Sequence, residues 1–230
     1  MKTLTWVATL LLFAAASYGQ KDERITVKAG SDVEQSLARE IFQYPAFVPG
    51  TVHYKDGRVS STSLNYNRLL GEFQFINSSN DTFVIADPQL IKAVVADKDT
   101  FYFSEGFVRE LRSAPRVKLG LKETLKVISR EKIGAYGMAS PNSSISSLSS
   151  YDDGRRMYQL DVRQDIIFAK RRTYYFGDAY NNFFPASRKR LLGLDPNHST
   201  EIENYLRDNK VDFHDGSDLA QLVEFIAGLK

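Results

Sequence analysis

Gly50-Thr51-Val52-His53-Tyr54-Lys55-Asp56-Gly57-Arg58-Val59 is the stretch that decides the fold. Val52 and Tyr54 alternate with Thr51 and His53, the period of two expected of a half-buried strand. Asp56-Gly57 follows, two residues that tolerate positive φ and so suit the tight turn between twisted antiparallel strands. The chain returns through Val59 to Leu64, and the whole segment predicts a β-hairpin.

The same pattern continues outward. Phe73 and Phe75 alternate with polar neighbours, Asn77-Ser78-Ser79-Asn80-Asp81 is a turn cluster, and residues 82–86 form the returning strand. Residues 91–95 and 100–103 read as two more strands, and 106–111 as a weaker one. Val117, Leu119 and Leu121 alternate with Arg116, Lys118 and Gly120, while 122–131 fits either a continued strand or a short helix. Residues 140–150 hold seven serines and read as a mobile loop within one β domain, a domain linker being the alternative. Alternation resumes at Tyr158, Leu160 and Val162, and residues 166–168 and 173–176 suggest a hairpin turning at Lys170-Arg171-Arg172. The strand aromatics Phe73, Phe75, Phe101 and Phe103 are core candidates, and Leu64-Asn65-Tyr66-Asn67 reads as a turn with two buried side chains.

Both ends of the chain differ from this. In residues 20–47, Val33, Leu37 and Ile41 share helical spacing, and Pro45 and Pro49 stop any helix there. Near the other end, Leu191, Leu192 and Leu194 run into the stop Asp195-Pro196-Asn197. Thr200-Glu201-Ile202-Glu203 has the spacing of a capping box, and Asn209-Lys210 ends that helix. Asp215, Ser217 and Asp218 are N-cap candidates for a last helix with Leu219, Leu222, Val223, Ile226 and Leu229 on one face. Such short helices cannot bury enough surface alone and are expected to pack on the sheet. The expectation is a mainly β (α+β) fold: an antiparallel sandwich or barrel-like sheet with a small C-terminal helical appendage. Its expected divisions are a signal peptide at 1–19, an N-terminal segment at 20–47, an antiparallel β domain at 48–178 with a Ser-rich loop at 139–154, and a helical subdomain at 179–230.

Met1-Lys2, an apolar run over residues 4–16 and the small residues Ser17 and Gly19 make a signal peptide cleaved after Gly19, or alternatively after Ala16. The run is shorter than the ~20 residues a membrane-spanning helix needs. Thirty Lys and Arg against 28 Asp and Glu leave a net charge of +2, and there is no cysteine. That excludes a disulfide framework, a thiolate nucleophile and a lipid-anchored cysteine. The expected location is periplasmic or extracellular, with an envelope association possible through a partner.

Tyr44-Pro45-Ala46-Phe47-Val48-Pro49-Gly50-Thr51-Val52 with its Asp56-Gly57 turn, Leu64-Asn65-Tyr66-Asn67 and Gly71-Glu72-Phe73-Gln74-Phe75-Ile76 resemble secreted proteins of unknown function common in Bacteroidetes genomes. Arg188-Lys189-Arg190-Leu191-Leu192, Glu201-Ile202-Glu203-Asn204-Tyr205-Leu206, Val211-Asp212-Phe213 and Asp218-Leu219 are similar to theirs as well. The resemblance spans most of the mature chain. It implies an envelope or secreted location and implies no activity.

Chemistry-bearing motifs are sparse. None of the three histidines, His53, His198 and His214, sits in an HExxH pattern, and no Gly-x-Ser-x-Gly elbow occurs. Asp212, His214 and Asp215 form a weak candidate site, with helix capping as the plainer reading. The Asp212, Asp215 and Asp218 spacing fails the EF-hand pattern, so no metal and no cofactor are expected. Lys170, Arg171 and Arg172, with Arg188, Lys189 and Arg190, flank aromatic residues and form a candidate anion or partner patch, or simply solvated turn charge. The near-neutral balance argues against nucleic acid and leaves an envelope protein, a glycan or a lipid head group as partner. The sequence thus points to a secreted or periplasmic non-enzymatic binding module. The alternatives are a small secreted hydrolase using carboxylate and histidine chemistry, and an outer-membrane barrel, for which the alternating segments are short.

Overall fold

Residues 23–28, 33–133, 139–141 and 165–229 are described by a computed structural model. A first strand, β1 (Glu23–Val27), precedes helix α1 (Val33–Ile41). Then come β2 (Val48–Tyr54), β3 (Val59–Asn67), β4 (Glu72–Ile76), β5 (Thr82–Val84), β6 (Ile91–Ala96), β7 (Asp99–Phe103), β8 (Phe107–Ser113) and β9 (Lys118–Ile133). β10 (Ala139–Pro141), β11 (Asp165–Gly177) and β12 (Phe183–Pro185) complete the strands. Helices α2 (Arg188–Leu194), α3 (Ser199–Asp208) and α4 (Gly216–Gly228) follow. The pairing is antiparallel throughout, in the order β1-β11-β9-β8-β7-β6-β2-β3-β4-β5, with β10 on β9 and β12 on β11.

The fold is therefore mainly β with short C-terminal helices, as the alternation implies. The β2–β3 hairpin turns at Gly57, whose φ of 89° is one that glycine adopts without strain. The sheet curls back on itself, the barrel-like form of the expectation. Four strands separate β3 from β9 in the sheet order, yet the Leu125 amide donates to the Arg68 carbonyl at 3.1 Å. Phe73 on β4 meets Phe101 on β7 and Phe107 on β8 edge-on, each with centroids 4.9 Å apart.

The concave face carries the core in separate patches. Val52, Leu64, Tyr66, Phe73, Ile91, Val94, Phe101 and Phe107 form an aromatic cluster. Val27, Ile41, Leu125, Ile166 and Phe168 form a second, which ties β1 and α1 to the sheet. Leu119 and Phe176 form the sheet side of a third, against Leu191, Ile202, Leu206, Leu219, Leu222, Val223 and Ile226 of the helices. Fully burying each such side chain is worth roughly 1.5–3 kcal/mol. On the opposite face, Phe183 lies close over Gly120 and Gly177, where a Cβ would come within 2.8 and 2.7 Å of its ring.

Several expectations need correction. No hairpin turns at Lys170-Arg171-Arg172: residues 165–177 are one strand, paired along its length with β9. A basic triplet survives mid-strand because Lys170 and Arg172 face Glu123 on the neighbouring strand. Leu64-Asn65-Tyr66-Asn67 is the buried end of β3, not a turn. The Asn65 amide group donates to the carbonyls of Tyr44 and Ala46 and accepts the Tyr44 amide, so its polar atoms are satisfied inside the core. Only Asn67 does turn chemistry, accepting from the amides of Leu69 and Leu70.

The capping box at Thr200 is not used. The preceding 3-10 turn, Pro196–His198, runs directly into α3, which begins one residue earlier, at Ser199. The amides of His198 and Ser199 already bond within that turn. Within 20–47, β1 is an unforeseen strand that pairs with β11. Residues 122–131 continue β9 as strand. The expected Ser-rich loop opens with β10, paired to the end of β9. The rest of that loop, the strand expected around Tyr158, Leu160 and Val162, and the signal peptide lie outside the described residues.

Candidate functional site

The two basic triplets sit on different elements with different partners. Lys170 and Arg172 point into the concave face, whereas Arg171 lies opposite Thr124 with its side chain exposed. Arg188, Lys189 and Arg190 open α2 and are exposed. Arg188 pairs with Glu203 at 2.8 Å, and Arg190 stacks over Phe184 at 4.5 Å. The acidic candidate is a helix cap. Asp215 accepts from the amides of Ser217 and Asp218 at the start of α4. Asp212 accepts the His214 amide at 2.8 Å and approaches its Nδ1 at 3.1 Å, with both side chains more than half exposed. The amide bond, followed by the ring contact, holds the Asp212 carboxyl below its ordinary value.

The convergence of charge lies elsewhere, around Glu123. Along β9, Leu119, Leu121, Glu123 and Leu125 alternate onto one face, which puts a carboxylate at a core position between the helix-covered patch and the Leu125 cluster. Its side chain is 10% exposed. Four cations reach it: Arg172 at 3.2 Å, Lys170 at 3.8 Å, Arg68 at 3.9 Å and Arg109 at 4.0 Å.

Arg68 is also tied to the end of α1. Its guanidinium donates to the carbonyls of Glu40 and Phe42 and to Gln43 Oε1, which supplies acceptors deep in the fold. Burial pulls its pKa down, against the pull of Glu123 and Glu40. Arg109 donates to Asp99 at 3.4 Å. Asp99 accepts the Tyr44 hydroxyl at 2.9 Å. Burial first, then that bond, pushes the Tyr44 pKa well up. The Tyr66 hydroxyl is buried without a hydrogen-bond partner. Burial pushes its pKa up to about 12, with Arg68 opposing and Glu123 reinforcing, which sets the hydroxyl where the aromatic cluster meets the charged layer.

This layer was missed in the sequence, but its signal is there. Glu123 occupies the apolar phase of β9, Arg109 that of Phe107, and Lys170 that of Phe168. A charge in the buried phase of a strand is costly unless paired, and so marks a site.

A second buried carboxylate behaves differently. Asp195, 3% exposed, meets Arg116 Nε at 2.8 Å and His198 Nδ1 at 2.9 Å. Arg116 continues to the carbonyls of Ile226 and Leu229, where it closes the end of α4.

At the open end of the curled sheet lies a cleft of about 640 Å³. Ser60 and Thr62 supply hydroxyls, while Val52, Phe75, Val84 and Leu90 supply apolar surface, with Tyr54 and Arg58 alongside; the Ser61 hydroxyl lies on the other face of the strand, against Thr51 at 3.4 Å. Val59, Phe83, Val84 and Leu90 are exposed hydrophobic residues on or next to the strands and turn that bound it. Among the described residues, no group of three or more His, Asp or Glu is placed to hold a metal. Nor is any helix there long and apolar enough to cross a membrane.

Comparison of the chain with protein-family models, with curated proteins and with solved structures finds no match.

Proposed function

We propose that the protein is an exported, non-enzymatic binding module of the cell envelope, and that the cleft at the open end of the sheet receives its ligand. The observation that carries this reading is the lining: the hydroxyl side chains of Ser60 and Thr62 beside exposed apolar surface, in a concavity of about 640 Å³. That volume and mixture are what a ligand site needs, with apolar area for affinity and a few polar groups for orientation. Of the partners the sequence suggests, a glycan fits this lining best. Sugar hydroxyls exchange hydrogen bonds with Ser60 and Thr62, and sugar C–H faces lie against Tyr54 and Phe75. The signal-like N-terminus supports export. The hydrolase alternative gains no support from Asp212, His214 and Asp215, whose contacts are those of a helix cap.

The test is retention of the mature protein on immobilised envelope polysaccharide, against a Ser60→Trp variant. Ser60 is exposed, so the larger side chain fills the cleft without entering the core. Retention of the parent and loss in the variant is expected. Equal retention of the two would remove the cleft from the account.

A further inference from the structure

On the face of the sheet away from the concave core, three side chains of complementary reactivity meet at Lys118. Its Nζ donates to Asn181 Oδ1 at 2.6 Å and to Glu110 Oε2 at 3.0 Å. The Tyr102 ring closes another side, its centroid 5.4 Å from Nζ. The register explains the meeting. Glu110 lies opposite Gly120 and Lys118 opposite Gly177, so both side chains leave the face that Phe183 covers. Tyr102 stacks on Phe183, which forms a buried cluster with Val108 and Tyr175. The Lys118 and Glu110 side chains are 15% and 21% exposed, so water reaches them poorly.

Asn181 comes from the turn between β11 and β12, and that turn is fixed. Asp178 Oδ1 accepts the amides of Tyr180 and Asn182, and the Asp178 carbonyl accepts the Asn181 amide at 3.1 Å. Asn181 takes a φ of 67° there, a conformation asparagine tolerates. The carboxamide is therefore held against the amine before any reaction begins.

We propose that Lys118 and Asn181 join in an intramolecular isopeptide bond, with Glu110 as its general acid and base. The Glu110 carboxylate takes a proton from the Lys118 ammonium, which removes two charges from a site with little water. The free Nζ attacks Asn181 Cγ, and the carbonyl pair moves onto Oδ1. Glu110 returns its proton to the amide nitrogen, the Cγ–Nδ2 bond breaks with its electron pair, and the carbonyl re-forms. Glu110 then carries the surplus Nζ proton to the departing ammonia. Lysine ammonium and asparagine amide thus become one secondary amide and one ammonium ion, with no oxidant and no change of charge. The bond joins residues 63 apart in sequence and ties the β11–β12 turn to β9. In a chain without cysteine it is a covalent staple that needs no disulfide. It is independent of the cleft and of any ligand bound there.

Peptide mapping of the purified full chain by mass spectrometry tests this. Trypsin cuts after Arg116, Lys122, Arg172 and Arg188 and cannot cut at an acylated Lys118. The peptide Val117–Lys122 joined to Thr173–Arg188, at their summed mass less one ammonia, is expected from most chains. Cyclisation of a glutamine or an asparagine also loses ammonia, so the joined peptide decides rather than the intact mass. Glu110→Gln removes the base and lowers the joined peptide at least tenfold. Recovery of the two peptides unjoined from the parent chain overturns the proposal. An undiminished yield of the joined peptide in Glu110→Gln overturns the part given to Glu110. Should that variant fail to fold, the parent chain alone decides.

Discussion

Asp195 and Glu123 are both buried carboxylates beside arginine, and they differ in how closely their cations approach. Asp195 has two partners, both within 2.9 Å, and Arg116 passes the connection on to the end of α4. Every contact is short, and together they fasten the α2–α3 junction and the last helix to the turn before β9. Glu123 has four cations, of which Arg172 alone is within hydrogen-bonding distance. Short contacts of this kind hold a fold together. Longer contacts recover less of the desolvation cost of burying charge, so the Glu123 layer is the weaker fastening.

The largest effect that would break this contrast is at Asp195. Asp195→Ala leaves Arg116 without its carboxylate and frees the end of α4, at a cost of about 3–5 kcal/mol in urea unfolding. A loss under about 1 kcal/mol would show that Asp195 is no staple. Next in size is a response to alkali. The Tyr66 pKa is about 12 in the folded protein, above its ordinary value of 10. A raised value favours the neutral form in the folded state, so this stabilisation is complete below pH 10 and is lost as pH rises toward 12. Stability then falls by about 1.4 kcal/mol per pH unit from Tyr66 alone. Denaturant titrations at pH 9, 10, 11 and 12 measure that slope, and Tyr66→Phe removes its share. The smallest effect is at the exposed triplet. Arg188→Ala, which breaks the surface pair with Glu203, changes stability by less than about 0.5 kcal/mol. A larger change would mean that α2 is held by charge rather than by Leu191 in the core.

The sequence made local features legible and long-range ones obscure. The Asp56-Gly57 turn and the apolar face of α4 were readable because their causes, positive φ and helical spacing, lie within a few residues. Asn65 looked like a turn residue because asparagine commonly bonds its own chain; its actual partners are 19 and 21 residues away. Lys170-Arg171-Arg172 looked like a turn for a similar reason. Three charges in a row interrupt the apolar alternation, and the carboxylate that makes them tolerable in a strand lies 49 residues before Arg172. The helix cap at Asp215 was readable in kind. The Glu123 layer was not, because Tyr66 and Arg68, Arg109, Glu123, and Lys170 and Arg172 come from four separate segments of chain that only the curled sheet brings together.

The most direct measurement of the central claim is a crystal structure of the mature chain grown with an envelope oligosaccharide. The account expects a sugar in the cleft, its hydroxyls bonded to Ser60 and Thr62 and a C–H face against Tyr54. Sugar bound elsewhere on the chain while that cleft stays empty would contradict it.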